Sequence, residues 1–250
     1  DGTVGVIPIT DRGGLADSAT VIQREGSSVH PKRQQVPHPH SIGPGPRNRH
    51  VFVPDLGTDT VGIYELRSED GSVRLLDSNS VATSDGAGPR HFAFHPTGEA
   101  LYVINELDST LTGYSYDPAT GALSETTTVS TLPASHDGGE NFASEVRVHP
   151  SGDWLYCSNR GHDSIAVFEI GDYGGLERLE HESTRGHWPR HFALDPAGRF
   201  LYVENRRSNT IVTFEISETG IPRPTGDVVS IPEPLCVVFG SLSRGDAERT

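Results

Sequence analysis

The chain has 250 residues, 34% of them hydrophobic, and 34 acidic against 20 basic residues give a formal net charge of −14. This charge disfavours nucleic acid and anionic membranes as partners. No apolar run approaches the roughly 20 residues of a membrane helix, and no secretory signal is recognised. The two cysteines, Cys157 and Cys236, show no pairing pattern, which predicts a cytoplasmic protein. Lys32 is the one lysine. Strong acidity with almost no lysine predicts a halophilic source, although a GC-rich genome would also favour arginine.

The first 40 residues fall into two parts. Residues 1–23 alternate apolar and polar side chains in two pieces, 4–10 and 18–23, joined by a turn at 11–14. The alternation predicts two strands, which we interpret as the outer half of a repeat unit whose inner strands precede residue 1. Residues 24–40 have no periodicity, and long irregular connections on a rigid scaffold are often functional.

A hairpin pattern then recurs four times. In the copy at 88–109, an apolar strand, a tight HPTG turn and a second apolar strand follow one another. The second strands of the copies end at Val53, Val103, Cys157 and Val203, at intervals of 50, 54 and 46 residues. This period, with four short strands per unit and no helical stretch, is typical of a β-propeller blade. Complete blades are predicted from about residues 41, 91, 146 and 191.

The C-terminal part follows the same pattern for one more strand. Residues 235–239 (LCVVF) predict that strand, and the polar tail 240–250 is expected to fray. The prediction is therefore all-β: a single β-propeller domain over residues 1–239, with four complete blades plus part of another, from which N-terminal residues are missing. Cys157 and Cys236 lie in apolar contexts without a pairing pattern, which predicts two buried free thiols.

Three aligned positions break the apolar pattern where the repeats should surround one mouth of the central channel. They hold His40, Arg90, Ser144 and Arg190, then Ser41, His91, Glu145 and His191, and finally Leu56, Glu106, Arg160 and Arg206. The residue before the last position is Asp or Asn in every copy, which indicates a role in turn formation. The other positions vary, as expected where a pseudo-symmetric scaffold holds an asymmetric ligand.

The charged members of this set indicate an anionic small molecule as ligand. An arginine fork pairs with carboxylate or phosphate through two hydrogen bonds, and His40 and Glu106 can move a proton. Ion pairs or loop clamps remain the structural alternative for each charged residue. His95 and His149 belong to turns on the opposite face and are predicted to be structural.

Other chemistries have less support. His38 and His40 could form a metal pair, but no Cys, His or Asp set completes it with ligand spacing, so no metal is expected. Ser41 lies in no nucleophile elbow. No glycine-rich phosphate loop precedes a helix, and no cofactor is expected.

An ordered series of motifs between about residues 24 and 239 is more specific than any one of its members. It comprises RQQVPHPHS (33–41), DLGTD (55–59), GPRHFAFHP (88–96), NELDST (105–110), SNRGHDSIAVF (158–168) and PRHFALDPAGRFLYVEN (189–205). The series resembles the seven-bladed β-propeller lactonases, a family that includes propeller-type 6-phosphogluconolactonase and carboxy-cis,cis-muconate cyclase. The resemblance implies a seven-bladed ring, of which this chain would lack roughly two and a half blades.

The resemblance also implies catalytic residues. In the muconate cyclase the proposed site uses a His of PHxH, an Arg of GPRH, a Glu of NEL and an Arg of SNRG. The matching residues are His40, Arg90, Glu106 and Arg160, all of which the aligned positions select independently. Substrate binding is expected from His91, Glu145 and Arg190. Where family members often read AN followed by Gln, this chain reads ENR at 204–206, and the added arginine could alter substrate preference or satisfy a nearby carboxylate.

The leading hypothesis is a lactone hydrolase acting on 6-phosphogluconolactone or a related sugar-acid lactone. Arg90 and Arg160 would hold the anionic group and stabilise charge on the carbonyl oxygen. One of His40 and Glu106 would deprotonate the attacking water, and the other would protonate the leaving ring oxygen. Two alternatives stay open: a muconate-type cycloisomerase with the same four residues, and a propeller that binds a metabolite or a protein without catalysis.

Overall fold

The described part of the chain is built almost entirely of antiparallel strands. The computed structural model describes residues 2–17, 19–66, 73–75 and 80–240. Within them the helical content is one 3-10 turn, Asp172–Gly174, and no helix there is long and apolar enough to cross a bilayer. The all-β prediction is confirmed. Most of the predicted tail, 241–250, lies outside the described residues.

Each sheet is formed by one continuous stretch of chain, as in a propeller. An N-terminal pair holds β1 (Thr3–Val6) and β2 (Thr20–Gln23). Blade I holds β3 (Gly43–Pro44), β4 (His50–Asp55), β5 (Thr60–Leu66) and β6 (Val73–Leu75), and β7 (Val81–Ala82) also pairs with β5. Blade II holds β8 (Pro89–Phe94), β9 (Ala100–Asn105), β10 (Thr110–Tyr116) and β11 (Leu123–Ser130).

The last two blades repeat the order of blade II. Blade III holds β12 (Phe142–Val148), β13 (Trp154–Arg160), β14 (Ser164–Ile170) and β15 (Leu176–Ser183). Blade IV holds β16 (Pro189–Leu194), β17 (Phe200–Asn205), β18 (Thr210–Ile216) and β19 (Pro222–Ser230). The four predicted blades and the preceding outer hairpin are therefore present.

The HPxG-type turns connect the first two strands of blades II to IV. Gly98, Gly152 and Gly198 have φ values of 75°, 89° and 72°, a left-handed conformation that glycine adopts without steric cost. His95 Nε2 lies 3.0 Å from the Gly152 carbonyl oxygen, and His149 Nε2 lies 2.8 Å from that of Gly198. The two histidines thus tie each turn to the turn of the next blade, which agrees with the predicted structural role.

The hydrophobic core lies between successive blades. Phe52 of blade I shares one buried cluster with Val103 of blade II, and Tyr102 of blade II shares the next with Leu155 of blade III. The cluster between blades III and IV includes Phe192. Each middle strand packs one face on the preceding blade and the other face on the following blade. Both faces are therefore buried, and these strands read as continuous apolar runs.

Two predictions for the C-terminal part are wrong. Residues 235–239 form no strand, since no strand of the described residues lies beside them to accept their backbone hydrogen bonds. Cys236 is exposed, whereas Cys157 is buried in β13 as predicted, and both are free thiols. An apolar run without a partner strand cannot bury its own side chains: Val238 is 82% exposed.

Candidate active site

Bulges in the innermost strands set the direction of the charged side chains. In blade II the register shifts between Pro89 and His91, so Arg90 is the extra residue. Blade IV has the same shift around Arg190, and blade III has one between Ala143 and Val146. A bulge bends its strand and re-aims the side chain, and such bulges are common beside active sites.

The irregular segment 24–40 lies over blade I and is held by polar contacts. Asp55 accepts hydrogen bonds from Arg24 Nε at 2.5 Å and from the His38 backbone at 2.7 Å. Gln34 is buried and donates to Asp59 at 2.7 Å, and the His40 backbone donates to the Pro54 carbonyl at 3.0 Å. These bonds place His40 at the end of β4 without any regular secondary structure in the segment.

The Asp/Asn position at the end of the second strands is structural, as predicted, but it does more than form a turn. Asn159 donates to the Thr131 carbonyl at 2.8 Å, and Asn205 donates to the Thr184 carbonyl at 2.9 Å. Asp55 holds the segment before blade I, as described above. Three of the four side chains therefore tie the ends of their strands to the chain segments that precede their own blades. The fourth, Asn105, donates instead within blade II, to Thr110 and Thr112.

Glu106 is the centre of the candidate site. Its Oε2 lies 2.9 Å from Arg90 Nε and 2.8 Å from Arg160 Nη2, and its Oε1 lies 2.6 Å from Arg33 Nη2. Burial alone would raise the pKa of this carboxyl, but the charges of Arg160, Arg90 and Arg33 hold the pKa at about 2. Glu106 is therefore ionised at neutral pH and is a weak base.

Arg90 and Arg160 differ in what they can reach. Arg90 is 2% exposed, donates to the Ser144 carbonyl at 2.5 Å and lies behind Glu106. Burial, reinforced by the charge of Arg160, lowers the pKa of Arg90 to about 10, so it stays protonated at neutral pH. Arg160 donates from Nε to the Phe142 carbonyl and from Nη2 to the Ala143 carbonyl. Within the described residues its Nη1 has no hydrogen-bond partner, and Arg160 faces the cleft.

His40 is neutral beside this cationic cluster. Burial, with the charges of Arg90 and His91, lowers its pKa to about 3. Its Nδ1 is buried without a hydrogen-bond partner in the described part of the chain. The His40 ring centroid lies 5.6 Å from that of His38 and 5.2 Å from that of His91. With a pKa of about 3 this imidazole is neutral at pH 7, and it becomes an effective base only when nearby negative charge raises that pKa.

These groups line a cleft of about 360 Å³. The lining residues are Arg33, His38, His40, Glu106, Phe142, Arg160, Trp188, Arg190, Arg206 and Arg207. Five arginines thus face a single carboxylate, although the chain as a whole is strongly acidic. The Phe142 and Trp188 rings, 6.0 Å apart, form the apolar part of the wall. Such a cleft suits a small, polar, anionic molecule.

The predicted site residues separate into two groups. His40, Glu106, Arg160 and Arg190 line the cleft, with Arg90 directly behind Glu106. His91 and Glu145 form an adjoining cluster, in which the His91 side chain is 23% exposed, that of Glu145 is 1% exposed, and His91 Nδ1 lies 2.7 Å from Glu145 Oε2. His191 Nε2 lies 3.4 Å from the same oxygen and its Nδ1 lies 3.0 Å from Glu204 Oε2. His91 and Glu145 line a second recess of about 520 Å³ rather than the cleft.

Sequence reasoning missed Arg33, Trp188 and Arg207. Arg33 belongs to the RQQVPHPHS motif, so its nearness to His40 in the chain was a usable signal. Trp188 immediately precedes β16, and its φ of 65° is unusual for a bulky residue. No repeat pattern marks Arg207. Among the described residues, no three His, Cys, Asp or Glu side chains are arranged to hold a metal ion.

Comparisons with known proteins agree with this architecture. The family model described as "Lactonase, 7-bladed beta-propeller" matches residues 1–239. A 6-phosphogluconolactonase of Bacillus subtilis is 38% identical over 240 residues, which cover 95% of this chain and 67% of that protein. One from Pectobacterium carotovorum is 33% identical over 156 residues, which cover 62% of this chain and 46% of that protein.

A solved structure shows the same arrangement of blades. The periplasmic gluconolactonase of Pseudomonas aeruginosa superposes with a TM-score of 0.88 at 30% identity, covering 96% of this chain and 67% of that one. The chain therefore spans between about half and two thirds of the length of these relatives. The blade repeat, the ordered motifs and the family model lead to one conclusion: this chain belongs to the seven-bladed β-propeller lactonase family.

Proposed function

We propose that this protein is a lactone hydrolase of carbohydrate metabolism that opens 6-phosphogluconolactone or a related sugar-acid lactone. The observation that carries the proposal is the cleft in which neutral His40 lies beside a carboxylate already saturated by three arginines. Relatives named 6-phosphogluconolactonase and gluconolactonase support the reaction class. The ligand is a small anionic lactone, and no nucleic acid, membrane or cofactor takes part.

The reaction forms a bond between the carbonyl carbon and the water oxygen, breaks the bond between that carbon and the ring oxygen, and transfers one proton. Water attacks the lactone carbonyl carbon while His40 accepts a proton from that water. The tetrahedral intermediate then breaks its bond to the ring oxygen, and the same proton passes from His40 to that oxygen, giving the open hydroxy acid. His40 suits the role because it is neutral before substrate binds. The negative charge of bound substrate then raises the proton affinity of the imidazole.

The arginines and Glu106 serve different purposes. Arg160 supplies its unpaired Nη1 donors to the carbonyl oxygen as that atom gains negative charge. Arg90 is 2% exposed and is not part of the cleft lining, so it acts through Glu106 as a positioning residue. Glu106 holds Arg33, Arg90 and Arg160 together, because three arginines without a counter-ion would repel one another.

The test is turnover of three lactones by the purified protein: 6-phosphogluconolactone, glucono-1,5-lactone and a muconolactone. We expect hydrolysis of at least one sugar-acid lactone and a fall of about 10²- to 10³-fold in kcat/KM for Arg160→Gln. Arg199→Gln is the control, since Arg199 lies over Phe200 and not in the cleft. Binding without turnover of any lactone would instead indicate a non-catalytic propeller, and turnover of muconolactone alone would indicate a cycloisomerase.

We further propose a cytoplasmic location and a halophilic source. Both described cysteines are free thiols, as is usual in a reducing compartment, although one structural neighbour is a periplasmic enzyme. For halophily, we expect the midpoint of thermal unfolding to rise steadily between 0.1 M and 2 M KCl, because salt screens repulsion among excess carboxylates. An unfolding midpoint that does not change with KCl concentration would contradict the halophilic source. Fractionation of the protein with periplasmic markers would contradict the cytoplasmic location.

A further inference from the structure

Three arginines of the cleft have no carboxylate of their own inside it. Glu106 is the one acidic residue among the described residues of the lining, and its two oxygens are already bound by Arg33, Arg90 and Arg160. Arg190, Arg206 and Arg207 complete the wall from blade IV. Uncompensated like charges at close range destabilise a folded protein, so this arrangement calls for an anion from outside the chain.

The hydrogen-bonding state of these side chains supports this reading. In the described part of the chain, the Arg190 guanidinium forms neither a hydrogen bond nor an ion pair. Burial is the main cause of the lowered pKa of Arg160, and the charge of Arg190 lowers that pKa further. Arg206 Nε is buried without a partner. Among the residues that the structure describes, the one ion pair of Arg206 is a 3.5 Å contact to Glu233, whose side chain is 69% exposed. Both guanidinium groups therefore keep donors free.

The third arginine is fixed by an aromatic ring. The Arg207 guanidinium carbon lies 3.5 Å from the ring centroid of Trp188. Stacking of this kind leaves the N–H groups in the plane of the guanidinium available to a ligand. Arg207 thus presents donors to the cleft beside Trp188.

The backbone that carries these groups is firmly held. The Arg206 backbone donates to the Trp188 carbonyl at 3.1 Å, and the Trp188 backbone donates to Asp163 Oδ1 at 2.8 Å. The left-handed conformation of Trp188 costs free energy and persists because these bonds hold it. Donors in a fixed arrangement bind an anion without a large loss of conformational freedom.

We propose that Arg190, Arg206 and Arg207 form an anion subsite that binds a phosphate monoester at the end of the substrate remote from the lactone carbonyl. This inference rests on the proposed lactonase function, since it divides the cleft into a reacting end at His40 and Arg160 and an anion end on blade IV. Several arginine forks suit a dianion with three acceptor oxygens better than a neutral sugar. The subsite therefore selects phosphorylated over unphosphorylated lactones.

The experiment measures kcat/KM for 6-phosphogluconolactone and for glucono-1,5-lactone. It compares the unaltered protein with the variants Arg190→Gln and Arg206→Gln and with the double variant. We expect the ratio of the two kcat/KM values to fall about tenfold in each single variant and about 100-fold in the double variant, mainly through KM for the phosphorylated substrate. Inorganic phosphate should inhibit glucono-1,5-lactone hydrolysis competitively, and more weakly in the variants. Arg223→Gln is the matched control, because Arg223 pairs with Glu182 and not with the cleft.

The failures of the two proposals are distinguishable. Hydrolysis of both lactones at equal kcat/KM, or an unchanged ratio in the double variant, would overturn the subsite and leave the lactonase standing. Hydrolysis of neither lactone would overturn the lactonase, and calorimetric titration with inorganic phosphate would then test the subsite directly. Binding that is equal in the protein and the double variant would overturn it.

Discussion

Arg33 and Glu106 lie 73 residues apart in the chain and form an ion pair of 2.6 Å between Nη2 and Oε1. Arg33 belongs to the irregular segment before blade I, whereas Glu106 follows the second strand of blade II. The Arg33 side chain is 34% exposed and the Glu106 side chain is 3% exposed. The pair therefore connects a surface segment to the buried centre of the site.

Arg33→Gln should loosen this connection. Because Glu106 would lose one of three cations, its pKa should rise from about 2, and segment 24–40 should open more often. We expect kcat/KM to fall by about tenfold, the equivalent of one charge-assisted hydrogen bond, with faster amide hydrogen exchange in the segment. Lys32→Gln, next in the chain and outside the cleft lining, is the control. Unchanged exchange would contradict the anchoring role.

Glu106→Gln should affect both stability and turnover. Removing the charge leaves three arginines close together without a counter-ion, and breaking a buried pair costs about 3 to 5 kcal/mol of unfolding free energy. Arg185→Gln, which removes an exposed arginine from Glu182 and leaves that carboxylate paired with Arg223, should cost less than about 1 kcal/mol. Urea unfolding of both variants measures the difference. Equal losses would show that the buried cluster contributes no more than a surface pair.

His40→Gln should lower kcat by about 10²- to 10⁴-fold with a small change in KM, as expected for a general base. Because the pKa of His40 is about 3 in the free protein, kcat/KM should stay constant from neutral pH to below pH 5. Bound anionic substrate raises this pKa, so the acid limb of kcat should lie at higher pH than that of kcat/KM. A kcat/KM limb near the ordinary histidine pKa would contradict the assignment.

Acid should destabilise the protein in two stages. The pKa of His40 is about 3 when folded, so the unfolded state binds more protons below its ordinary pKa of 6.5 and stability falls as the pH drops through that value. Glu106, held at a pKa of about 2, adds a further loss below pH 4.5, the ordinary glutamate value. Urea unfolding at pH 7, 5.5 and 4 measures both stages.

A matched pair of variants tests the second stage. Glu106→Gln should show a shallower loss of stability below pH 4.5 than the unaltered protein, because the group that takes up the proton is gone. Glu218→Gln, which removes an exposed carboxyl outside the cleft lining, should leave the slope as it is. Parallel curves for Glu106→Gln and the unaltered protein would contradict the depressed pKa of Glu106.

Gly57→Ala should displace the segment that carries His40. A β-carbon at Gly57 would collide with the Val36 carbonyl oxygen and lie 2.7 Å from the His38 backbone nitrogen. Since these atoms are backbone, the segment must move, and we expect kcat/KM to fall by about 100-fold or more, as small misplacements of catalytic groups do. Gly5→Ala, where nothing lies within 4 Å, is the control. Equal activity in the two variants would show that the segment tolerates displacement.

Much of this protein could be predicted from its sequence because the relevant signals are local. Apolar runs, turn glycines such as Gly98 and the fixed interval between hairpins predict four blades, and the structure confirms them. A repeated blade also places equivalent positions around one opening, so Glu106 and Arg160 could be predicted to meet there. The 2.8 Å contact between them follows from that symmetry.

Other features depend on contacts between distant parts of the chain. The bulge at Arg90 turns its side chain behind Glu106, and Arg33 belongs to a segment without periodicity. Residues 235–239 form no strand because none of the described strands lies beside them. Burial and neighbouring charge, which no linear pattern records, make His40 neutral and keep Glu106 ionised. The sequence by itself determined the repeating fold and the candidate residues; only the tertiary structure decided which of them face the cleft and in which charge state, because both depend on long-range packing.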